Sequence, residues 1–244
     1  MIDDVFELLQ NQHNIALEDL TEYDHDAMDE LISAAYGSDV AVDSGVSKLV
    51  LLIKDESHVM KIPYMKRFDE DMYDQAYADY AEADDRGEEV GRAPVIEDFC
   101  FPFQSARIDI IDTSNNWDYC ALECAIYEEA YNRGLAQYFA EEVFFGEIGD
   151  HPVYIQKRVT PFDSYSSTTT HNFYETTSRC NKLNVRCINS VWTEDFMNFY
   201  GEQEYVKLVN FLDELKIYDL HSGNLGYLNG APILLDYSDF REFD

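Results

Sequence analysis

Positive charge is what this sequence has least of. Lys and Arg together number 17 against 49 Asp and Glu, a formal net charge of -32 over 244 residues. A surface so acidic repels phosphate backbones and anionic lipid, which excludes binding to nucleic acid or membrane through a basic patch. Long apolar runs are also missing: no stretch approaches the roughly 20 residues that a membrane helix needs. The first residues, Met1-Ile2-Asp3-Asp4, are acidic and lead into no basic segment with an apolar run behind it, so no secretory signal is expected. Cysteine is scarce and odd in number, at five. That disfavours a disulfide framework and makes the cytoplasm the expected location. There is no internal repeat, no G-x-S-x-G elbow and no H-E-x-x-H helix, so hydrolase and metalloprotease readings have no support.

What is present is apolar enough to fold. The chain is 46% hydrophobic and 14% aromatic, which suits one large domain or two small lobes around a cleft. Residues 1–39 carry apolar positions at three-to-four spacing and predict an N-terminal helical segment. From Val40 the texture turns to strand: Val40-Ala41-Val42, a turn at Asp43-Ser44-Gly45, the run Lys48 to Ile53, a second turn, and His58 to Pro63. This is a three-strand meander. Residues 69–89 hold ten acids and one Arg, with Tyr73, Tyr77 and Tyr80 at helical spacing. They predict an acidic helical insert, within residues 66–95, whose tyrosines face the body.

Phe99 to Phe101 and Ile108 to Ile111 read as strand or loop. Trp117 to Arg133 predicts a helix capped by Asn115 or Asn116 and ended by Gly134. Ala136 to Phe145 reads as further helix or turn, and Pro152 to Val159 as strand. Residues 162–179 are rich in Ser and Thr and read as loop. Tyr205, Leu208, Val209, Leu212 and Leu215 form one helical stripe. The last segment reads as a loop from Tyr218 to Asn224, then two strands joined by the hairpin dipeptide Asn229-Gly230.

The chemistry is concentrated in Asp219-Leu220-His221-Ser222-Gly223-Asn224, followed twelve residues later by Asp236. A helix delivers a loop with a carboxylate and, five residues on, a carboxamide. The hairpin then returns a second carboxylate beside that carboxamide. Asn224 and Asp236 are hard oxygen ligands suited to Mg²⁺. Asp219 has the character of a base that positions an incoming hydroxyl. Such a set fits phosphoryl transfer, where positioning and charge neutralisation dominate.

This segment resembles the catalytic loop and metal-binding hairpin of the protein-kinase-like superfamily. Its D-L-H-x-G-N form is closer to the aminoglycoside-phosphotransferase branch, and to small phage and bacterial kinase-like proteins, than to eukaryotic protein kinases. The resemblance implies an α+β, two-lobed fold: a kinase-like N-lobe with an antiparallel sheet over residues 40–159, and a minimal helical C-lobe over 160–244. It implies ATP and Mg²⁺ as cofactors, with Asp219 and Asn224 catalytic and Asn224 and Asp236 holding the metal. It assigns Lys61, in the strand Val59-Met60-Lys61-Ile62, to the phosphates, and Glu123 to pair with that lysine, with Glu128 and Glu129 as substitutes. The phosphate-covering loop falls at Ser44 to Lys48, with Gly45 and Ser47 as contacts. The strand Tyr154-Ile155-Gln156, running into Lys157 to Val159, falls where the lobes join and the adenine binds.

Departures are plain. One glycine stands where eukaryotic kinases have G-x-G-x-x-G. Tyr218 replaces the histidine that often precedes the catalytic Asp, and D-F-G reads Asp236-Tyr237-Ser238. Only eight residues follow Asp236, so no peptide-binding activation segment is expected. His221 is expected to orient the loop. Cys120 and Cys124, four apart on a helix, are expected as buried small residues rather than zinc ligands. Two functions remain open. One is phosphotransfer to a protein or small-molecule hydroxyl. The other is a catalytically inactive kinase-like binding protein, such as an acidic phage inhibitor of a host factor. A mimic of nucleic acid is a weaker third.

Overall fold

The computed structural model describes residues 40–44, 47–53, 57–64, 66–88, 90–102, 118–148, 151–162 and 173–238. The expected helical segment 1–39, Gly45, the run Ile108 to Ile111 and most of the Ser/Thr-rich loop lie outside them. The described part is α+β, and its largest sheet is antiparallel.

That sheet has five strands: β1 (Val40–Ser44), β2 (Lys48–Ile53), β3 (His58–Pro63), β6 (Glu142–Ile148) and β7 (His151–Lys157), in the order β1-β2-β3-β7-β6. Register decides what each face carries. Directly opposed residues share a face, and the pairs Lys48↔Pro63, Val50↔Lys61, Lys61↔Tyr154, Val59↔Gln156 and Glu142↔Gln156 collect the polar side chains on one side. Leu49, Leu51, Met60 and Ile62 are buried on the other and belong to the hydrophobic core.

Helix α2 (Tyr119–Asn132) covers the polar face. It starts at Asp118, whose Oδ1 accepts from Ala121 N at 2.8 Å and whose Oδ2 accepts from Tyr154 OH at 2.5 Å. The cap is therefore Asp118 rather than Asn115 or Asn116. A buried tyrosine on β7 holds the same carboxylate that caps the helix. Gly134, at φ 72°, follows the helix as expected.

The stretch Ala136 to Phe145 corrects the expectation of helix or turn. One 3₁₀ turn (Ala136–Tyr138) leads into strand β6. Val143-Phe144-Phe145 is a β-branched and aromatic run, and pairing with β7 takes precedence over the short helical signal. The acidic segment holds helix α1 (Glu70–Asp85), flanked by the two-stranded pair β4 (Lys66–Phe68) and β5 (Cys100–Pro102). The tyrosine expectation is also corrected: no residue of α1 is buried. Tyr73 packs instead on the flanking segments, 5.5 Å from Phe68 of β4 and 5.6 Å from Phe99 just before β5 between ring centroids, and Tyr77 is half exposed.

The remainder is helical with a small sheet. Helix α3 (Phe173–Leu183) corrects the end of the expected loop over 162–179, and α4 (Ser190–Tyr200) and α5 (Glu202–Glu214) pack through Trp192, Phe196, Tyr205, Leu208 and Leu212, all fully buried. The sheet β10-β9-β8 joins β8 (Thr160–Pro161), β9 (Leu225–Leu228) and β10 (Ala231–Leu234). Asn229 and Gly230 both take positive φ in the turn, as an Asn-Gly hairpin requires. One contiguous cluster of buried residues runs from Leu49 and Ile62 through Ile126 to Trp192, Leu225 and Tyr237.

Candidate functional site

The site forms where three chain segments meet: the polar sheet face, helix α2, and the segment after β10. Three backbone and side-chain contacts fix the last of these. Ala140 N donates to Leu234 O at 2.7 Å, and Tyr237 OH donates to Ala140 O at 2.8 Å. Gln156 Nε2 donates to Leu235 O at 2.8 Å. Asp236, between Leu235 and Tyr237, is thereby carried to the sheet.

Five ionisable groups are brought together there. Lys61 Nζ lies 2.7 Å from Glu123 Oε2 and 2.8 Å from Glu142 Oε2. Lys48 Nζ lies 2.6 Å from Glu123 Oε1 and 3.2 Å from Asp236 Oδ1. Ser238 Oγ donates to Glu123 Oε1 at 3.0 Å, and Gln156 Nε2 donates to Glu142 Oε2 at 3.0 Å. Glu123 and Glu142 side chains are fully buried, whereas Asp236 keeps 32% of its side chain exposed. Asp236 is thus the member of the cluster that meets solvent.

The charges are unequal in their comfort. Burial opposes ionisation of Glu123, but Lys48 and then Lys61 outweigh it and hold the carboxyl well below the usual range. Burial drives Glu142 well above that range, and repulsion from Glu123 adds to it. One of its oxygens, Oε1, is buried with no hydrogen-bond partner, so Glu142 is the less well satisfied of the two buried carboxyls. Burial lifts Asp236 to about 6, with Lys48 pulling down and Glu123 pushing up. Both ammonium groups lose solvation. For Lys61, Glu123 and Glu142 more than compensate, and for Lys48, Asp236 and Glu123 do so; both stay charged. Several buried, mutually perturbed groups that open to solvent at one carboxylate make this cluster the candidate site.

The second component is the loop between α5 and β9. The chain leaves α5 at Leu215 and Ile217, both buried, and passes Asp219, which is half-buried. Asn224 Nδ2 donates to Asp219 O at 2.7 Å, leaving its Oδ1 as the acceptor end of the amide. Leu235 N donates to Asn224 O at 3.0 Å, which puts Asn224 across the hairpin from the residue before Asp236. His221 Nδ1 accepts from Gly223 N at 3.0 Å, so the imidazole shapes the loop. A Cβ on Gly223 would meet that ring at 2.8 Å, so a larger residue there would shift the imidazole.

Sequence reasoning placed Lys61, Glu123, Asn224, Asp236 and Gln156 near one another; the first two and Asp236 share one network of ion pairs through Lys48. Gln156 has its side-chain amide committed to Glu142 and to Leu235 O. Ser47 is buried, with its carbonyl taken by Tyr64 N. Glu128 is exposed and Glu129 pairs with Arg133, so neither is in the cluster. Glu142 was missed, and Lys48 and Ser238 were named only as the end of the phosphate-covering loop and the last residue of the Asp236-Tyr237-Ser238 triplet. For Lys48 the available signal was a lysine opening an apolar strand two positions from Val50, the cross-strand partner of Lys61.

The donor set accords with Mg²⁺. Asp236 and Asn224 offer hard oxygens, and Mg²⁺ commonly takes one or two protein oxygens and fills the rest with phosphate and water. Among the described residues no group of three or more His, Cys, Asp or Glu is arranged to hold a metal. Burial raises the thiol pKa values of Cys120 and Cys124, and all five cysteines are free thiols.

A cavity of about 700 Å³ lies close by, lined by His58, Lys157, Arg158, Thr160, Pro161 and Leu228 among others. It shares no lining residue with the ion cluster. His58 and Lys157 are register partners on the face opposite Lys61 and Gln156, so the cavity opens on the far side of the sheet. No family model and no curated protein matches this chain. No helix among the described residues is long and apolar enough to cross a membrane.

Proposed function

We propose that the protein is an ATP- and Mg²⁺-dependent phosphotransferase with a two-lobed, kinase-like organisation. The observation that carries the reading is the Lys61–Glu123 pair, linked through Lys48 to Asp236, on a network that collects residues 48, 61, 123 and 236 from four separate segments. Asp236 and Asn224 are the residues that would hold Mg²⁺, which supplies charge neutralisation on the phosphates. Lys61, oriented by Glu123, binds phosphate oxygens. Asp219 accepts the proton of the attacking hydroxyl or fixes its direction. The acceptor is a hydroxyl on a protein or small molecule. The chain Gln156 to Val159 is the adenine-side segment on this reading.

The contact of Lys48 with Asp236 also suits the second reading, a kinase-like binding protein without turnover, because it closes the cluster without any ligand. Transfer of label from γ-labelled ATP to the protein itself or to a lysate separates the two. Transfer that is lost in Asp219→Asn supports the enzyme. ATP binding without transfer to any acceptor supports the binding protein, and no ATP binding overturns the enzyme and favours the binding protein.

A further inference from the structure

The phosphotransferase reading places Lys48 at the end of the phosphate-covering segment but gives its side chain no role. It is a fully buried cation, held on one side by Glu123 and on the other by the exposed carboxylate Asp236. Glu123 does not depend on it alone, since Lys61 occupies the other oxygen of the same carboxylate. Asp236 has no second lysine among its ion pairs in the described residues. Lys48 also opens β2, directly after the turn assigned to cover the phosphates.

We propose that Lys48 is a second phosphate-binding residue that is stowed on Asp236 until metal and nucleotide arrive together. The inference rests on the phosphotransferase reading of this site. The physical reason is competition for one oxygen. A divalent cation at Asp236 Oδ1 and an ammonium 3.2 Å from it repel each other in a site of low dielectric. Metal alone must therefore expel Lys48 from its partner with nothing offered in return. Metal bound to a triphosphate brings a polyanion, and the released ammonium pairs with its oxygens. The two ligands are then positively coupled, and by linkage each raises the affinity for the other by the same factor.

The test compares Mn²⁺ alone with Mn²⁺ plus a non-hydrolysable ATP analogue, by calorimetry and by Mn²⁺ electron paramagnetic resonance, in wild type and Lys48→Met. Expected are tighter binding of Mn²⁺ alone, by at least about fivefold, and weaker binding of the metal–nucleotide complex by a similar factor. The opposite signs are the diagnostic, because loss of a merely structural lysine weakens both probes. Unchanged or jointly weakened affinities overturn the role of Lys48 while leaving the phosphotransferase reading in place. A wild type that binds no metal–nucleotide complex at millimolar concentration overturns both. If Lys48→Met does not fold, Lys48→Arg carries the test: its forked guanidinium grips Asp236 more firmly, so Mn²⁺ alone should bind more weakly than to wild type, with the complex still bound. Tighter Mn²⁺ binding by the arginine variant overturns the proposal.

Discussion

Lys61 Nζ stands 2.7 Å from Glu123 Oε2, a contact between a strand and a helix 62 positions apart in the chain. The same carboxylate gives its other oxygen to Lys48 and to Ser238. Glu123 is therefore the hub through which the sheet, helix α2 and the segment after β10 are joined.

The two buried glutamates should respond differently to neutralisation. Glu123→Gln removes the charge shared by two buried lysines and should cost about 3–5 kcal/mol, the range for breaking a buried ion pair from one side. Burial opposes the charge of Glu142 and pushes its carboxyl well up, and Gln is close to its neutral form in shape. Glu142→Gln should therefore cost less than about 1 kcal/mol, in line with a modest change of hydrogen bonding. Urea denaturation at pH 7 measures both, and equal losses would show that the cluster shares its charge differently.

Asp236 sets a pH dependence whose sign follows from its raised pKa of about 6. The folded state holds the proton to a higher pH than the unfolded chain does, so the Asp236 contribution to stability is greatest below the ordinary aspartate value near 4. It declines as pH rises from about 4 to 6 and is level above. The stability difference between wild type and Asp236→Asn, followed by thermal unfolding across pH 4–8, should show that slope. Affinity for Mn²⁺ should run the other way, falling up to about tenfold per unit below pH 6 as the proton competes with the metal.

Asp219→Asn should leave nucleotide affinity near wild type and lower turnover by about 10²–10⁴, the usual effect of losing a general base. Lys61→Ala should weaken both, because a cation on phosphate oxygens acts in the bound and the transition state alike. Equilibrium binding and label transfer, measured on the same preparations, separate the two variants. Equal transfer by wild type and Asp219→Asn would remove Asp219 from the base position.

Gly226 should be intolerant for a steric reason. A Cβ there would lie 2.4 Å from Val159 Cγ1 and 2.6 Å from the backbone oxygen of Thr160. Gly226→Ala must displace β8 or the chain before it, at about 1–3 kcal/mol. Gly91, with nothing within 4 Å of its Cβ position, should accept Ala within about 0.5 kcal/mol. Melting temperatures of the two variants check the contrast.

Much of the local structure was legible from residue order. The alternation and turns of residues 40–63 specify the meander, the stripe Tyr205 to Leu215 specifies α5, and Asn229-Gly230 specifies the hairpin, because each signal is short-range and has one geometric solution. Helix α4 was not singled out, although Asn189 caps it and Trp192 and Phe196 stand four apart; residues 185–200 went unread. The tyrosines of α1 show the limit of periodicity: spacing makes a stripe, but only a neighbouring surface buries it, and outside its own helix Tyr73 meets only the flanking Phe68 and Phe99 among the described ring contacts. The loop from Asp219 to Asn224 and the carboxylate of Asp236 could be named from the sequence, since chemistry and spacing were both local. That Lys48 shares Glu123 with Lys61, and that Glu142 lies beside them, was decided only by tertiary structure. Register put those lysines on one face of the sheet, and helix α2 brought one carboxylate over both. Burial then made their charges interdependent, a relation that no spacing along the chain encodes.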